Sequence, residues 1–359
     1  MIIVLSNSMA FYTEAGIKNL DSTMTDNFEE LDEHAKKQHL LDVAKRALPL
    51  WALPDSATLT LLNISENATY RIDHETLNEP LILRVHRTGY HTREGIQTEL
   101  AWTKALQAEA DVETPQAIPS ASGELIESVA TPALNENRFV VMFEFIPGAE
   151  PSEDDLIEPF HRLGAIAARM HKHARDWQRP AYFERLVWDV ETTIGPNGNW
   201  GDWRNAPGLD AQKTATLQAM ADLIARRLAS YGKGPERFGL AHADLRLANL
   251  LEHNGNTRVI DFDDTGVTWF MYDFATAVSF MEDREDMPAL IDAWVSGYRT
   301  VASLSDEDVD ELPTFLMLRR LAILAWIGSH GETELARELG VPFARQSVPL
   351  AENYLAKFS

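Results

Sequence analysis

Residues 238–264 read FGLAHADLRLANLLEHNGNTRVIDFDD, and this stretch decides the fold. His242, Asp244 and Asn249 form the pattern H-x-D-x-x-x-x-N, and Asp261 follows twelve residues after Asn249. A lone His-x-Asp is an ordinary turn, because loop Asp side chains readily bond nearby backbone. The joint pattern is more specific. It adds two leucines after Asn249, a polar hairpin-like turn from His253 to Thr257, and the run Val259-Ile260-Asp261-Phe262. Phosphoryl transfer explains the residue types. It needs an acceptor hydroxyl held in line with a proton acceptor beside it, which suits Asp244. It also needs Mg2+ on the phosphates, and hard oxygen ligands such as Asn249 and Asp261 suit that ion. Asp263 and Asp264 add two carboxylates; one serves a second metal or its water, and the rest cap the following turn. Two readings of Arg246 stay open: it stabilises charge on the transferred group, or it is a salt-bridged loop residue.

The chain has 359 residues, enough for two lobes with ample core. It is 45% hydrophobic and 24% charged, ordinary for a globular protein. A net charge of −23 argues against a nucleic-acid partner, which needs a basic face. The absence of cysteine excludes a disulfide framework, a thiolate metal site and a Cys nucleophile. The N-terminus, MIIVLSNSMAFY, lacks a basic lead and a long apolar core, so it is a poor signal peptide. No apolar stretch reads as approaching the roughly 18 residues that span a bilayer. The expected location is cytoplasmic, with no membrane partner. Residues 1–34 read as a polar, loose tail, within which Met9 and Met24 are alternative starts.

Helical periodicity begins at residues 35–50, with Leu40, Leu41, Val43, Ala44 and Ala47 on one broad face. Strand-like runs follow at 58–64, 69–73 and 81–86, then a helix over 93–109 that carries Glu99. Further strands are expected near 123–129 and at 138–145, where Pro147-Gly148 stops the run. Beyond Pro151 the pattern turns helical, at 156–173, 209–231, 287–301 and 311–328. The expected fold is α+β: an antiparallel β-rich N-lobe over 35–147 that binds nucleotide, and a larger helical C-lobe over 148–359 that carries the catalytic loop and substrate site.

With these motifs in order, the chain resembles the aminoglycoside phosphotransferase, choline kinase and homoserine kinase superfamily, which has the protein-kinase-like two-lobed fold. The likeness covers roughly residues 35–330. Residues 242–249, HADLRLAN, match that family's HGDLxxxN loop with Ala243 in place of Gly. Tyr272-Asp273-Phe274-Ala275 is similar to its YDLA segment, whose Asp braces the catalytic loop. The resemblance implies ATP as donor, Mg2+ as cofactor and a small molecule as acceptor. It assigns Ser65 and Asn67, in a glycine-free loop, and Arg84, in place of the usual Lys, to the phosphates. Glu99 becomes the partner of Arg84. Met142 stands behind the adenine, with the backbones of Phe143 and Phe145 along its edge, although a simple buried strand reads the same way.

Substrate recognition is less legible. Trp188, Asp189, Trp203 and Trp269 are candidates, because aromatic faces with carboxylates hold an ammonium. Packing onto the helical lobe explains the same tryptophans. His171 and His173 suit the C-terminal end of a helix better than a metal site. The expected activity is a kinase acting on a hydroxyl of an amine-bearing small molecule: an amino alcohol, a hydroxy-amino acid or an aminoglycoside-like compound. A bacterial stress-response Ser/Thr protein kinase and a nucleotide-binding pseudokinase are the alternatives. Oligomeric state leaves no sequence signal.

Overall fold

The computed structural model describes residues 27–64, 67–132, 134–152, 154–331 and 333–359. The chain divides into two compact units. The first takes the described residues up to Leu100 and Pro115–Pro147; the second takes Ala101–Thr114 and Gly148–Ser359.

The first unit is an antiparallel sheet of six strands: β1 (Thr58–Ile64), β2 (Ala68–Asp73), β3 (Leu81–Val85), β4 (Ala117–Ile118), β5 (Glu127–Thr131) and β6 (Glu136–Glu144). Their order is β1-β2-β3-β6-β4, with β5 also paired to β6. Alternation builds it. In β2, Ala68, Tyr70 and Ile72 are buried while Thr69, Arg71 and Asp73 are less so, the period of two that pleating imposes. Helix α1 (Glu33–Ala47) starts at Asp32, whose carboxylate accepts from the Ala35 amide at 2.8 Å. It buries Leu40, Val43, Ala44 and Ala47 against Tyr70, Leu83, Val85 and Met142. Pro49 ends the regular helix in a 3-10 turn, Leu48–Trp51. Helix α2 (Arg93–Glu109) sets Ile96 and Leu100 against Val141 and Phe143, the alternate positions of β6. The sequence places a strand from 123; Gly123 instead sits in a turn at φ +90, and β5 begins four residues later.

The second unit is mainly helical: α3 (Ile157–Asp176), α4 (Val190–Ile194), α5 (Ala211–Tyr231), α6 (Tyr272–Ala277), α7 (Met287–Arg299), α8 (Asp306–Asp310), α9 (Leu312–Ser329) and α10 (Glu334–Phe358), the last broken at Gly340. Helices α3 and α7 touch through glycines. A Cβ on Gly297 would lie 1.8 Å from the His161 carbonyl, and one on Gly164 would lie 2.0 Å from that of Trp294. The segment Asp306–Ser329 is long and apolar enough to cross a membrane by composition, which the sequence reading passed over; 78% of its apolar window is buried in this core.

Short strands carry the loops that matter. β7 (Leu186–Trp188), β11 (Gly266–Trp269) and β8 (Phe238–Ala241) form one sheet with β11 in the middle. β9 (Leu250–His253) and β10 (Asn256–Val259) form a hairpin. Its two-residue loop is Asn254-Gly255, both at positive φ, a turn whose twist matches the strands.

Candidate active site

β8 delivers the chain to the candidate catalytic loop, residues 242–249. Ala243 lies at φ +65, where an L-residue is strained by roughly 1–2 kcal/mol. Tertiary bonds hold it there. The carboxylate of Asp273, wholly buried in α6, accepts from the amides of Ala243 at 2.7 Å and His242 at 3.2 Å. His171 Nε2 lies 2.9 Å from the same carboxylate. The Thr276 hydroxyl accepts from the Leu245 amide at 2.8 Å. His242 is itself buried, with Nε2 3.1 Å from the Ile260 carbonyl, so it ties the loop to the segment leading to Asp261.

These braces present Asp244. Its Oδ2 accepts from Arg246 Nε at 3.0 Å and from Asn249 Nδ2 at 2.9 Å. Its Oδ1 accepts from Arg319 Nη2 at 2.5 Å. Burial pushes the Asp244 carboxyl up, but the charges of Arg246, Arg319 and His242 outweigh it and hold the group well below the usual carboxylate range. Asp244 is therefore an anion throughout the neutral range. The Asp244 charge raises Arg246 in turn, and Asp261 adds to the effect, so this guanidinium feels both carboxylates.

Asn249 donates its amide nitrogen twice to Asp244, to the main-chain oxygen at 2.8 Å and to Oδ2, which leaves its amide oxygen for another ligand. Asp261 lies just past β10 at φ +61. An amide oxygen and carboxylates form a hard donor set that fits Mg2+. Among the described residues, no group of three or more His, Asp or Glu side chains makes a closed metal cage. Asp263 is buried, and Arg185 clamps its main chain by donating to the carbonyls of Asp263, Thr265 and Phe262.

The residues expected on the nucleotide side lie in the first unit. Arg84, on β3, donates from Nη1 to Glu99 Oε1 of α2 at 2.7 Å, and both are buried. Its guanidinium also lies 5.0 Å from the Phe143 ring centre. Asn67 accepts from the Arg87 amide at 3.0 Å and shapes the entry to β2. Ser65 lies outside the described residues. Met142 and Phe143 stand inside the sheet, opposite Leu83 and Ile82 of β3 and Ile118 and Ala117 of β4. With strands on both sides, the backbone of Phe143 belongs to the sheet. Phe145 follows the end of β6, beneath the Arg71 guanidinium at 5.0 Å.

The tryptophans proposed for substrate are core residues. Trp188, Trp203 and Trp269 are all essentially inaccessible. Trp188 Nε1 donates to the Asp264 carbonyl and Trp269 Nε1 to the Gly232 carbonyl. Asp189 caps α4 and pairs with Lys233 at 2.7 Å. Large aromatic area spent on packing is what these positions show. His171 and His173 close α3 without forming a metal group: His171 serves Asp273, and His173 faces Glu109.

Sequence reasoning missed Arg319 and Arg185. The available signal was in α9, where Arg319 and Arg320 interrupt the run LPTFLMLRRLAILAW; a buried cation must find a counter-charge. Arg320 finds Glu282 at 2.8 Å, and Arg319 finds Asp244.

A carboxylate kept ionised inside the protein, with oxygen ligands on the adjoining turns, suits the transfer of a phosphoryl group to a hydroxyl. The chain belongs to the phosphotransferase enzyme family, whose model matches residues 58–307. It is similar to the structure of a microcompartment-associated aminopropanol kinase, with 42% identity, 88% of this chain and 98% of that one covered, and a TM-score of 0.82. It is 25% identical to the amicoumacin kinase of Bacillus subtilis over 272 residues, 72% of this chain and 76% of the relative. It also matches the structure of an amicoumacin kinase in complex with AMP-PNP, Ca2+ and Ami, at 22% identity and a TM-score of 0.72, with 90% and 96% covered. The α+β kinase-like fold is thereby established, as is the class: a phosphotransferase with a small-molecule alcohol as acceptor. The protein-kinase alternative falls away.

Proposed function

We propose that this enzyme moves the γ-phosphate of ATP, with Mg2+, to the hydroxyl of a small amino alcohol, in the cytoplasm. The observation that carries the reading is Asp244, buried yet held ionised by Arg246 and Arg319. The 42% identity to an aminopropanol kinase favours an amino alcohol over a hydroxy-amino acid or an aminoglycoside-like acceptor. The structure with AMP-PNP and Ca2+ supports a nucleotide with a divalent cation.

Asp244 orients the acceptor hydroxyl in line and receives its proton. An efficient general base has a pKa near the working pH. Asp244 lies far below that, so positioning is its main contribution and the proton passes late. A loose transition state, with little bond formation to the incoming oxygen, tolerates this. Arg246, shared between Asp244 and Asp261, stabilises charge on the transferred group. Asn249, Asp261 and Asp263 would hold Mg2+, which when bound neutralises the phosphates. Arg84, fixed by Glu99, and Asn67 with Ser65 serve the phosphates, and Met142 with the chain around Phe145 serves the adenine.

The test is incubation with ATP, Mg2+ and pooled hydroxylated amines, amino acids and aminoglycosides, followed by mass spectrometry. An amino alcohol phosphate is the expected product. Phosphorylation confined to amino acids or aminoglycosides would refute the proposed acceptor class.

A further inference from the structure

We infer that Arg319 is a positioning residue for the acceptor: it holds Asp244 by Oδ1, and it leaves one guanidinium nitrogen to engage an oxygen of the acceptor itself. The inference rests on the kinase reading above. Four observations carry it.

The first is lone-pair accounting. A carboxylate oxygen accepts about two hydrogen bonds. Oδ2 of Asp244 already has two, from Arg246 and Asn249, whereas Oδ1 has one, from Arg319. The capacity left for a substrate hydroxyl is therefore on Oδ1, beside Arg319. The second is the anchoring of Arg319. Its Nε donates to the Ser279 hydroxyl at 3.1 Å, and its guanidinium lies 5.2 Å from the Trp200 ring centre. A planar fork held at two points has little freedom left.

The third is an unused donor. Arg319 is 3% exposed, yet its Nη1 has no hydrogen-bond partner. A buried donor left without a partner is costly, and such a cost is expected where a ligand later fills the bond. The fourth is the buried Tyr272 hydroxyl, which has no partner at full hydrogen-bond geometry. It lies near enough to Arg319 that the guanidinium's charge and a weak side-chain hydrogen bond from it oppose the upward push of burial on the phenol. An acceptor oxygen between them would satisfy both.

The experiment uses the full chain with ATP, Mg2+ and aminopropanol, comparing wild type with Arg319→Lys and Arg319→Met. Lysine keeps the buried charge but has no fork, so it separates folding from positioning. Expected is a fall in kcat of about 10–100-fold for Arg319→Lys and more for Arg319→Met, with KM for ATP changed less than about threefold. Added guanidinium ion should restore activity to Arg319→Met, a rescue that a merely structural arginine would not show. An Arg319→Lys variant that melts like wild type and keeps its kcat would overturn the inference, as would a folded Arg319→Met that guanidinium leaves unchanged. A wild type inert toward every pooled acceptor would instead overturn the kinase reading, and this inference with it.

Discussion

Arg319 reaches Oδ1 of Asp244 at 2.5 Å across 75 residues of sequence. The contact joins a helix that otherwise reads as plain core to the proposed catalytic loop. It explains how a carboxylate can be buried without being neutralised. Desolvation alone would raise Asp244, and two guanidiniums reverse the sign. The same contact makes α9 part of the site.

Asp273 should behave as the keystone of the loop. Asp273→Asn can keep only part of its set of acceptor bonds to the His242 and Ala243 amides and to His171. The expected result is a loss of about 3–5 kcal/mol of stability and at least a tenfold fall in kcat, since a loop shifted by about 1 Å misplaces Asp244. Thermal melting and steady-state kinetics check it. Wild-type stability in the variant would show that the loop holds itself.

The Arg84–Glu99 pair predicts an asymmetry between substrates. Arg84→Gln should raise KM for ATP at least tenfold and leave KM for the acceptor within about threefold, because a phosphate-binding cation acts on one substrate. Glu99→Gln should act in the same direction, more weakly, by loosening Arg84. Equal effects on both substrates would remove the pair from the nucleotide side.

Much of this was legible in the sequence, for physical reasons. Period-two burial marked β2, and the 3.6-residue period marked α1, α3 and α5, because burial on one face imposes those repeats. His242, Asp244, Asn249 and Asp261 lie within one short segment, so their spacing carried the chemistry. The Arg84–Glu99 contact spans 15 residues and could be anticipated from motif order. The partners of Arg319 and Arg185 could not, since their bonds join positions 75 to 80 residues apart; the break in the apolar run of α9 signalled only that Arg319 needs a counter-charge. The tryptophans misled for the opposite reason: local clustering with carboxylates imitates a cation site, whereas only the fold reveals that Trp188, Trp203 and Trp269 are inside.

The neighbouring pair, Arg320 with Glu282, predicts a pH signature. Burial raises the Glu282 carboxyl, and Arg320 only partly opposes it. A carboxyl raised on folding contributes stability below its unfolded value of about 4.3, and that contribution is lost as pH rises through the higher folded value. Wild type therefore gains from this group on acidification from pH 7 to pH 5, and Glu282→Gln does not. The stability deficit of Glu282→Gln should be larger at pH 5 than at pH 7, read as the difference in melting temperature. A deficit that shrinks on acidification would contradict the sign. At neutral pH, Arg320→Met with Glu282→Leu together should cost less than either single change, since each single change strands a buried charge at about 3–5 kcal/mol.

The central claim is that Asp244 acts on an acceptor hydroxyl of a small amino alcohol. Its most direct test is mass spectrometry of wild type and Asp244→Asn with ATP, Mg2+ and aminopropanol, at a temperature where both are folded by circular dichroism. The account predicts a phosphorylated amino alcohol from wild type and a rate lower by about 100- to 10,000-fold in the variant. A folded Asp244→Asn that makes product at the wild-type rate would contradict it.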